Sequence, residues 1–443
     1  MFDRFVDLAE KIIQVLKSRN VEGDVYCEYC KSITVECQEG KFKGSSISEE
    51  CGLGLRVVVD NSVGFVYTSS LDVNPIDLVD RAFKIAKLCS KIPWRGLPKI
   101  SKPVNVSDIF NRDLANIDVE YVLSYVNEFL KYYESDRDIF SIWFAGIEVS
   151  YTRRFITNTN GVELECEETT STAGLEVNAR DGTYTTPGVY DFECSRVKIV
   201  DLVKVYERCK DKARRLLKPV KLDYTNIDVV LSPKALTHLL EYTLLSVLNS
   251  RAFALKRSPF IGKIGQELFS RELTLIDDAT KPGDLESTPF DDEGVPTRRV
   301  ILIEKGVLKN VISDIYWGSI ANLETTGNGY RSGYYSTPTV SFTNVEILPG
   351  SLDLEELKSG KVLLVDDVQG AHSSNPESGE FSVAAPCAWI IENRSEKPVK
   401  GVMISGNMYT ILRDVKFTKQ VEKFVNFTLP YAYVYKENIK VIA

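Results

Sequence analysis

Three acidic doublets and two histidines are the residues of this chain whose types and spacing invite chemistry. Asp277-Asp278, Asp291-Asp292 and Asp366-Asp367 each fall near the end of an expected strand. Clustered carboxylates can hold magnesium or manganese for hydrolysis, although strand-end acids are also ordinary turn formers. His238 sits among Leu236, Leu239, Leu240 and Leu244, one helical turn before Glu241, which suits a packed or surface helix residue better than a ligand. His372 lies in the glycine-serine loop Gln369-Gly370-Ala371-His372-Ser373-Ser374-Asn375-Pro376, a place from which it would line a groove. Cys27-Glu28-Tyr29-Cys30 has the spacing of redox and zinc motifs. It falls in an alternating stretch, so its thiols point to opposite faces of a strand, and no second pair follows at suitable spacing.

The most specific segment is Ser287-Thr288-Pro289-Phe290-Asp291-Asp292-Glu293-Gly294-Val295-Pro296-Thr297-Arg298-Arg299. Two prolines stiffen the backbone on either side of three consecutive carboxylates, Gly294 permits a turn, and an apolar run from Val300 to Ile303 follows. The pattern predicts a rigid acidic loop entering a strand, with its carboxylates held in a set direction.

The elements that must position these groups belong to a chain of 443 residues, enough for two or three units at about 150 residues each. Hydrophobic residues at 44% and charged residues at 26% suit a soluble globular protein, and a net charge of -8 argues against a surface that tracks nucleic-acid phosphates. Residues 1–20 predict an amphipathic helix interrupted by acids, unlike a signal peptide, and no apolar run is long enough for a membrane span. Nine scattered cysteines suggest reduced thiols in the cytoplasm. Strands are expected from Asp24 to Ser70 and, after a helix from about Asp118 to Glu134, on to Cys194 with Asn160-Gly161 as a hairpin turn, and further helices open at Asn74-Pro75 and Asp201. Lys218-Pro219-Val220-Lys221 reads as a linker between an N-terminal domain of mixed strands and helices, 1–217, and a C-terminal domain, 222–443. The second part should hold one long helix after Ser232-Pro233 and many short antiparallel strands, giving an α+β fold.

From about Asp228 to Leu412 the order and spacing of several segments resemble the TldD/PmbA family, the "modulator of DNA gyrase" proteins. They are Asp228-Val229-Val230-Leu231-Ser232-Pro233, Gly262-Lys263-Ile264-Gly265-Gln266, Leu275-Ile276-Asp277-Asp278, the acidic loop, and Thr326-Gly327-Asn328-Gly329-Tyr330-Arg331. Asn375-Pro376-Glu377-Ser378-Gly379-Glu380 and Gly401-Val402-Met403-Ile404-Ser405-Gly406-Asn407 complete the set. The N-terminal half is more weakly similar, through Thr157-Asn158-Thr159-Asn160-Gly161.

Catalytic members of that family, the TldD type, carry His-Glu-x-x-x-His on the helix after the Val-Leu-x-Pro strand. Run without gaps, the motif falls on Glu241-Tyr242-Thr243-Leu244-Leu245-Ser246, so both histidine slots and the general-base slot are lost, to Glu241, Ser246 and Tyr242. The family's cysteine ligand is also missing, since no Cys follows Cys387. The resemblance therefore implies a PmbA/TldE-type subunit without a metal of its own, zinc being expected only in a TldD-type partner. It further implies a heterodimer with that partner, or a homodimer, around a cavity that takes short unfolded peptides. Asp291, Asp292, Glu293, Asn328, His372 and Asn375 are the candidates for the substrate groove. Nucleic acid and membrane are not expected partners. Two other readings are a stand-alone hydrolase that uses the acidic doublets to hold a metal, and a regulator that binds gyrase.

Overall fold

The computed structural model describes residues 1–100, 102–182 and 184–443. Helix α1 (Phe2–Ser18) forms as its spacing predicts, burying Phe2, Phe5, Leu8, Ala9, Ile12, Ile13 and Leu16 along one side. Strands β1 (Glu22–Gln38), β2 (Lys41–Val59), β3 (Ser62–Thr68), β4 (Phe140–Asn158), β5 (Glu163–Asp181) and β6 (Val189–Ser195) follow. They pair antiparallel in the order β3-β2-β1-β4-β5-β6. Helices α2 (Pro75–Leu88), α3 (Val119–Tyr133) and α4 (Leu202–Arg215) begin where their caps were expected. Asn74, Asp118 and Asp201 accept hydrogen bonds from Ile76 N, Tyr121 N and Lys204 N, satisfying donors that the first turn leaves free.

The period of two along these strands decides which face the helices take. Val25, Cys27, Leu53 and Leu55 pack on α1 and α2, while Ile33, Val35, Ile147, Val149 and Leu175, on that same face, pack on α3 and α4. The alternate residues between them project the other way.

A second, mixed sheet holds β7 (Val229–Leu231), β8 (Leu275–Asp278), β9 (Arg299–Glu304), β10 (Val345–Ile347), β11 (Lys361–Gln369), β12 (Glu380–Glu392), β13 (Met403–Asn407), β14 (Lys416–Phe424), β15 (Phe427–Val434) and β16 (Ile439–Ile442). Its order is β9-β8-β10-β15-β7-β11-β12-β13-β16, with β14 paired to β15, and only β10–β15 and β7–β11 in that path run parallel. The fold is α+β with mainly antiparallel sheets, as the sequence predicts.

The long helix expected after Ser232-Pro233 forms, with a π turn inside it. Helix α5 (Pro233–Leu240) runs into a π turn at Glu241–Leu245, and a short α6 (Ser250–Ala254) restarts after Asn249. Ser246 Oγ donates to Glu241 O at 2.6 Å, and Asn249 caps the new helix through Ala252 N.

The two halves share a core. Val362, Leu364, Trp389 and Ile391 of the second sheet pack in one cluster with Val126, Phe129 and Tyr206 of α3 and α4. Trp389 Nε1 donates to Arg215 O at 3.2 Å, and Val220 N donates to Pro398 O at 2.9 Å, so the 218–221 segment lies against the second sheet.

Candidate functional site

The acidic loop is buried, which corrects the expectation that its carboxylates face a groove. Asp291, Asp292, Glu293 and Asn328 are all enclosed, at 0–4% exposure. Arginines on the first sheet hold the loop in place. Arg56, on β2, bonds Asp24 on β1 through Nε at 3.1 Å and Glu293 Oε1 through Nη1 at 2.7 Å. Arg154, on β4, pairs with Asp292 and Glu168 and donates to Thr288 Oγ1 at 2.6 Å. Arg196 donates to Ser287 O and Thr169 O and pairs with Glu168 at 3.3 Å.

The backbone supplies the remaining donors. Asp291 Oδ1 accepts from Glu293 N and Val295 N, and its Oδ2 from Gly329 N at 2.9 Å. Gly294, at φ 80°, makes the turn that lets the loop fold back on Asp291. Glu293 Oε2 accepts from Ile315 N at 2.7 Å. A side chain at Gly329 would meet the Glu293 carboxylate at 2.5 Å, so the Thr326-to-Arg331 segment can approach only with glycine there. Burial and the neighbouring Glu293 push the Asp291 carboxyl well above its usual range. The direction of these acids is set by the arginines and backbone N–H groups, and it is inward, toward buried cations.

Asp277 belongs to the same interior. Its Oδ2 accepts from Asn328 Nδ2 and its Oδ1 from Thr343 N, both at 2.7 Å, yet burial still pushes its carboxyl up to about 6. A carboxyl raised on folding gives stability that is full below the unfolded value of about 3.9 and lost as pH rises through about 6. The stability advantage of the native chain over Asp277→Asn is therefore expected to shrink by about 1–1.5 kcal/mol between pH 5 and pH 8. Urea unfolding of both proteins at the two pH values measures it.

A second cluster surrounds α5 and its π turn. Lys234 Nζ lies 2.7 Å from Asp367 Oδ2, and His238 Nδ1 lies 3.3 Å from Asp367 Oδ1. Burial pulls the Asp367 carboxyl up, but His238 and Lys234 outweigh it and hold the group below its usual range. His238 also meets the edge of Phe424, with ring centroids 5.7 Å apart. Glu241, Tyr242 and Ser246 are exposed on the π turn, and the Tyr242 ring meets that of His372 at 6.4 Å. Asn375, exposed in the neighbouring loop, accepts from Glu377 N and Ser378 N. The six groove candidates thus divide, with four in the buried clasp and His372 and Asn375 on the surface beside the π turn.

The π turn has a geometric meaning. Residues five apart on an α-helix point about 140° from one another, whereas i→i+5 hydrogen bonding brings them to one side. The π turn spans Glu241–Leu245 and so places positions 241 and 246 in this relation, with Ser246 Oγ donating to the Glu241 backbone carbonyl. That is the arrangement two metal-ligating side chains at this spacing would need. The donors present are one carboxylate, one phenol and one hydroxyl, which do not make a zinc site of imidazole, thiolate and carboxylate ligands. Among the described residues, no three His, Cys, Asp or Glu side chains group so as to hold an ion. The Asp366-Asp367 doublet is engaged by Lys212 at 2.9 Å and by Lys234, away from the clasp.

The sequence reading missed the arginine clasp and the Lys234-His238-Asp367 group. The available signal was Arg56, a lone cation within Leu53-Gly54-Leu55-Arg56-Val57-Val58-Val59, where an apolar strand would carry a charge only with a buried partner.

Comparison with known proteins matches residues 225–442 to the PmbA/TldA metallopeptidase C-terminal domain. Residues 23–86 match domain 1 and residues 112–217 the central domain of the same metallopeptidases. The crystal structure of TldE from Thermococcus kodakarensis superposes with a TM-score of 0.88 and 28% identity, covering 98% of this chain and all of that one. The uncharacterized protein MJ0231 of Methanocaldococcus jannaschii is 28% identical over 94% of this chain and 95% of its own length. A metalloprotease PmbA homolog of Buchnera aphidicola is 23% identical over 93% of this chain and 91% of its own.

Proposed function

Because the chain belongs to the PmbA/TldD metallopeptidase family, we propose that it is the partner subunit of a heteromeric peptidase, holding no zinc itself. The observation that carries this reading is the π turn, which keeps positions 241 and 246 on one side while offering Glu241, Tyr242 and Ser246. The associated TldD-type homologue would supply the zinc and the group that activates water. This chain would complete the walls of a shared cavity in the cytoplasm and position short unfolded peptides there. In support, its surface beside the π turn keeps Tyr242, His372 and Asn375 exposed. The division into units 1–217 and 222–443 is part of the same proposal, the first forming one wall and the second carrying the π turn.

Co-expression with a homologue bearing His-Glu-x-x-x-His tests the reading. The two chains are expected to co-purify, with stoichiometric zinc and chelator-sensitive cleavage of an unfolded peptide found in the pair and absent from this chain alone. EDTA-sensitive cleavage by the isolated chain would overturn it.

A further inference from the structure

Among the described residues, no helix covers one face of the first sheet, which only Lys234 of α5 touches, at Tyr190 on β6. On it the strand registers align Ser48 of β2, Ser32 of β1, Ser150 of β4 and Thr170 of β5 in one row across the sheet, at about 4.8 Å per strand. The next row is Ser46, Thr34, Glu148 and Thr172, and the row on the other side begins with Glu50 and Cys30. The result is a carpet of hydroxyls with carboxylates set into it.

The ordinary explanation is a solvated face of an antiparallel sheet, which is usually polar. Such faces carry both signs of charge. Here the cations nearest the rows, Arg154 and Arg196, are buried and bonded to Glu168. Farther along the face Arg56 pairs with Asp24, at the Cys194 end Lys423 pairs with Asp284 and Lys234 with Asp367, and Lys43 pairs with Glu36 at 3.2 Å. Glu50 and Glu148 are exposed and have no basic partner among the described residues. Their fields converge on the half-buried Cys30, whose thiol is raised first by burial and then by Glu28, Glu148 and Glu50.

The face is continuous with the surface of the π turn. Thr172 pairs with Cys194 on β6, Cys194 Sγ contacts Val425 O at 3.9 Å, and the adjacent Phe424 meets His238. We propose that this hydroxyl face binds an extended peptide carrying Lys or Arg side chains, with Glu50 and Glu148 selecting the charge and the serine and threonine hydroxyls bonding the peptide backbone. The proposal rests on the peptide-positioning role above and names its substrate class.

Fluorescence anisotropy with a labelled, unstructured Lys/Gly/Ser peptide and its Glu-for-Lys counterpart tests it on the full-length chain. The Lys peptide should bind and the Glu peptide should not. Glu50→Gln/Glu148→Gln should weaken binding about three- to ten-fold and flatten its salt dependence. Glu10→Gln/Glu120→Gln, on exposed sides of α1 and α3, should leave both unchanged. Equal binding of the two peptides, no binding, or equal effects of the two double variants would overturn the proposal. If the pair of homologues still assembles and cleaves peptide in that event, the subunit reading survives alone. If the Lys peptide binds but no homologue associates, the reverse holds.

Discussion

Arg56→Ala is expected to destabilise the chain by about 3–5 kcal/mol, a large part of what holds a typical domain folded. The guanidinium is nearly inaccessible and lies between Asp24 and Glu293, two carboxylates with no exposure of their own. Removing it leaves Glu293 buried beside Asp291 and Asp314, whose carboxyls burial and Glu293 already push upward, and leaves Asp24 only the more distant Arg331 at 3.8 Å. Because Arg56 and Asp24 sit on the first sheet and Glu293 in the acidic loop, the loss also loosens the contact between the halves. The effect should depend on the orphaned charges more than on lost packing. Arg56→Met combined with Asp24→Asn and Glu293→Gln is therefore expected to recover much of the stability that Arg56→Ala loses. Guanidinium unfolding at pH 7 decides between these accounts, and a triple variant no better than Arg56→Ala would argue against the charge explanation.

Grafting the family's motif by Glu241→His, Tyr242→Glu and Ser246→His is expected to leave peptide cleavage at least about 100-fold below that of the zinc-bearing pair. The π turn would present both new imidazoles on one side, and the carboxylate introduced at position 242 would be placed to meet water. Zinc hydrolases use three protein ligands and keep the fourth position open. Of the two native imidazoles, His238 is already drawn to Asp367 and set edge-on against Phe424, and His372 lies against the ring of Tyr242. No cysteine follows Cys387, itself buried in the shared core. Zinc titration followed by the change in protein fluorescence, together with peptide cleavage assays, measures the outcome. Cleavage at the rate of the pair would show that the missing donors lie elsewhere.

Much of the architecture was legible in the sequence because local signals governed it. Asn74, Asp118 and Asp201 announced their helices, and Asn160-Gly161 marked the turn between β4 and β5. The π turn after Leu240 was not, since it leaves the hydrophobic spacing of Leu239, Leu240, Leu244 and Leu248 close to that of an ordinary α-helix. The acidic loop shows a different limit. Its prolines and glycine signalled a fixed geometry, but whether three adjacent carboxylates face solvent or the interior depends on Arg56 and Arg154, more than 100 residues earlier in the chain. Periodicity carries no information about that pairing. The same holds for the hydroxyl rows, which come into line only through the register of four strands.

The place of β15 has a consequence for biosynthesis. This strand comes late in the sequence, yet it links the two parts of the second sheet, hydrogen-bonded to β10 at its start and to β7 at its end, besides its hairpin partner β14. Until its residues leave the ribosome, two partly made ribbons have exposed edges and nothing to join them. Closure of the second sheet must therefore wait until Phe427–Val434 has been made, and a chain stalled or truncated before Phe427 would present those unzipped edges to chaperones and proteases.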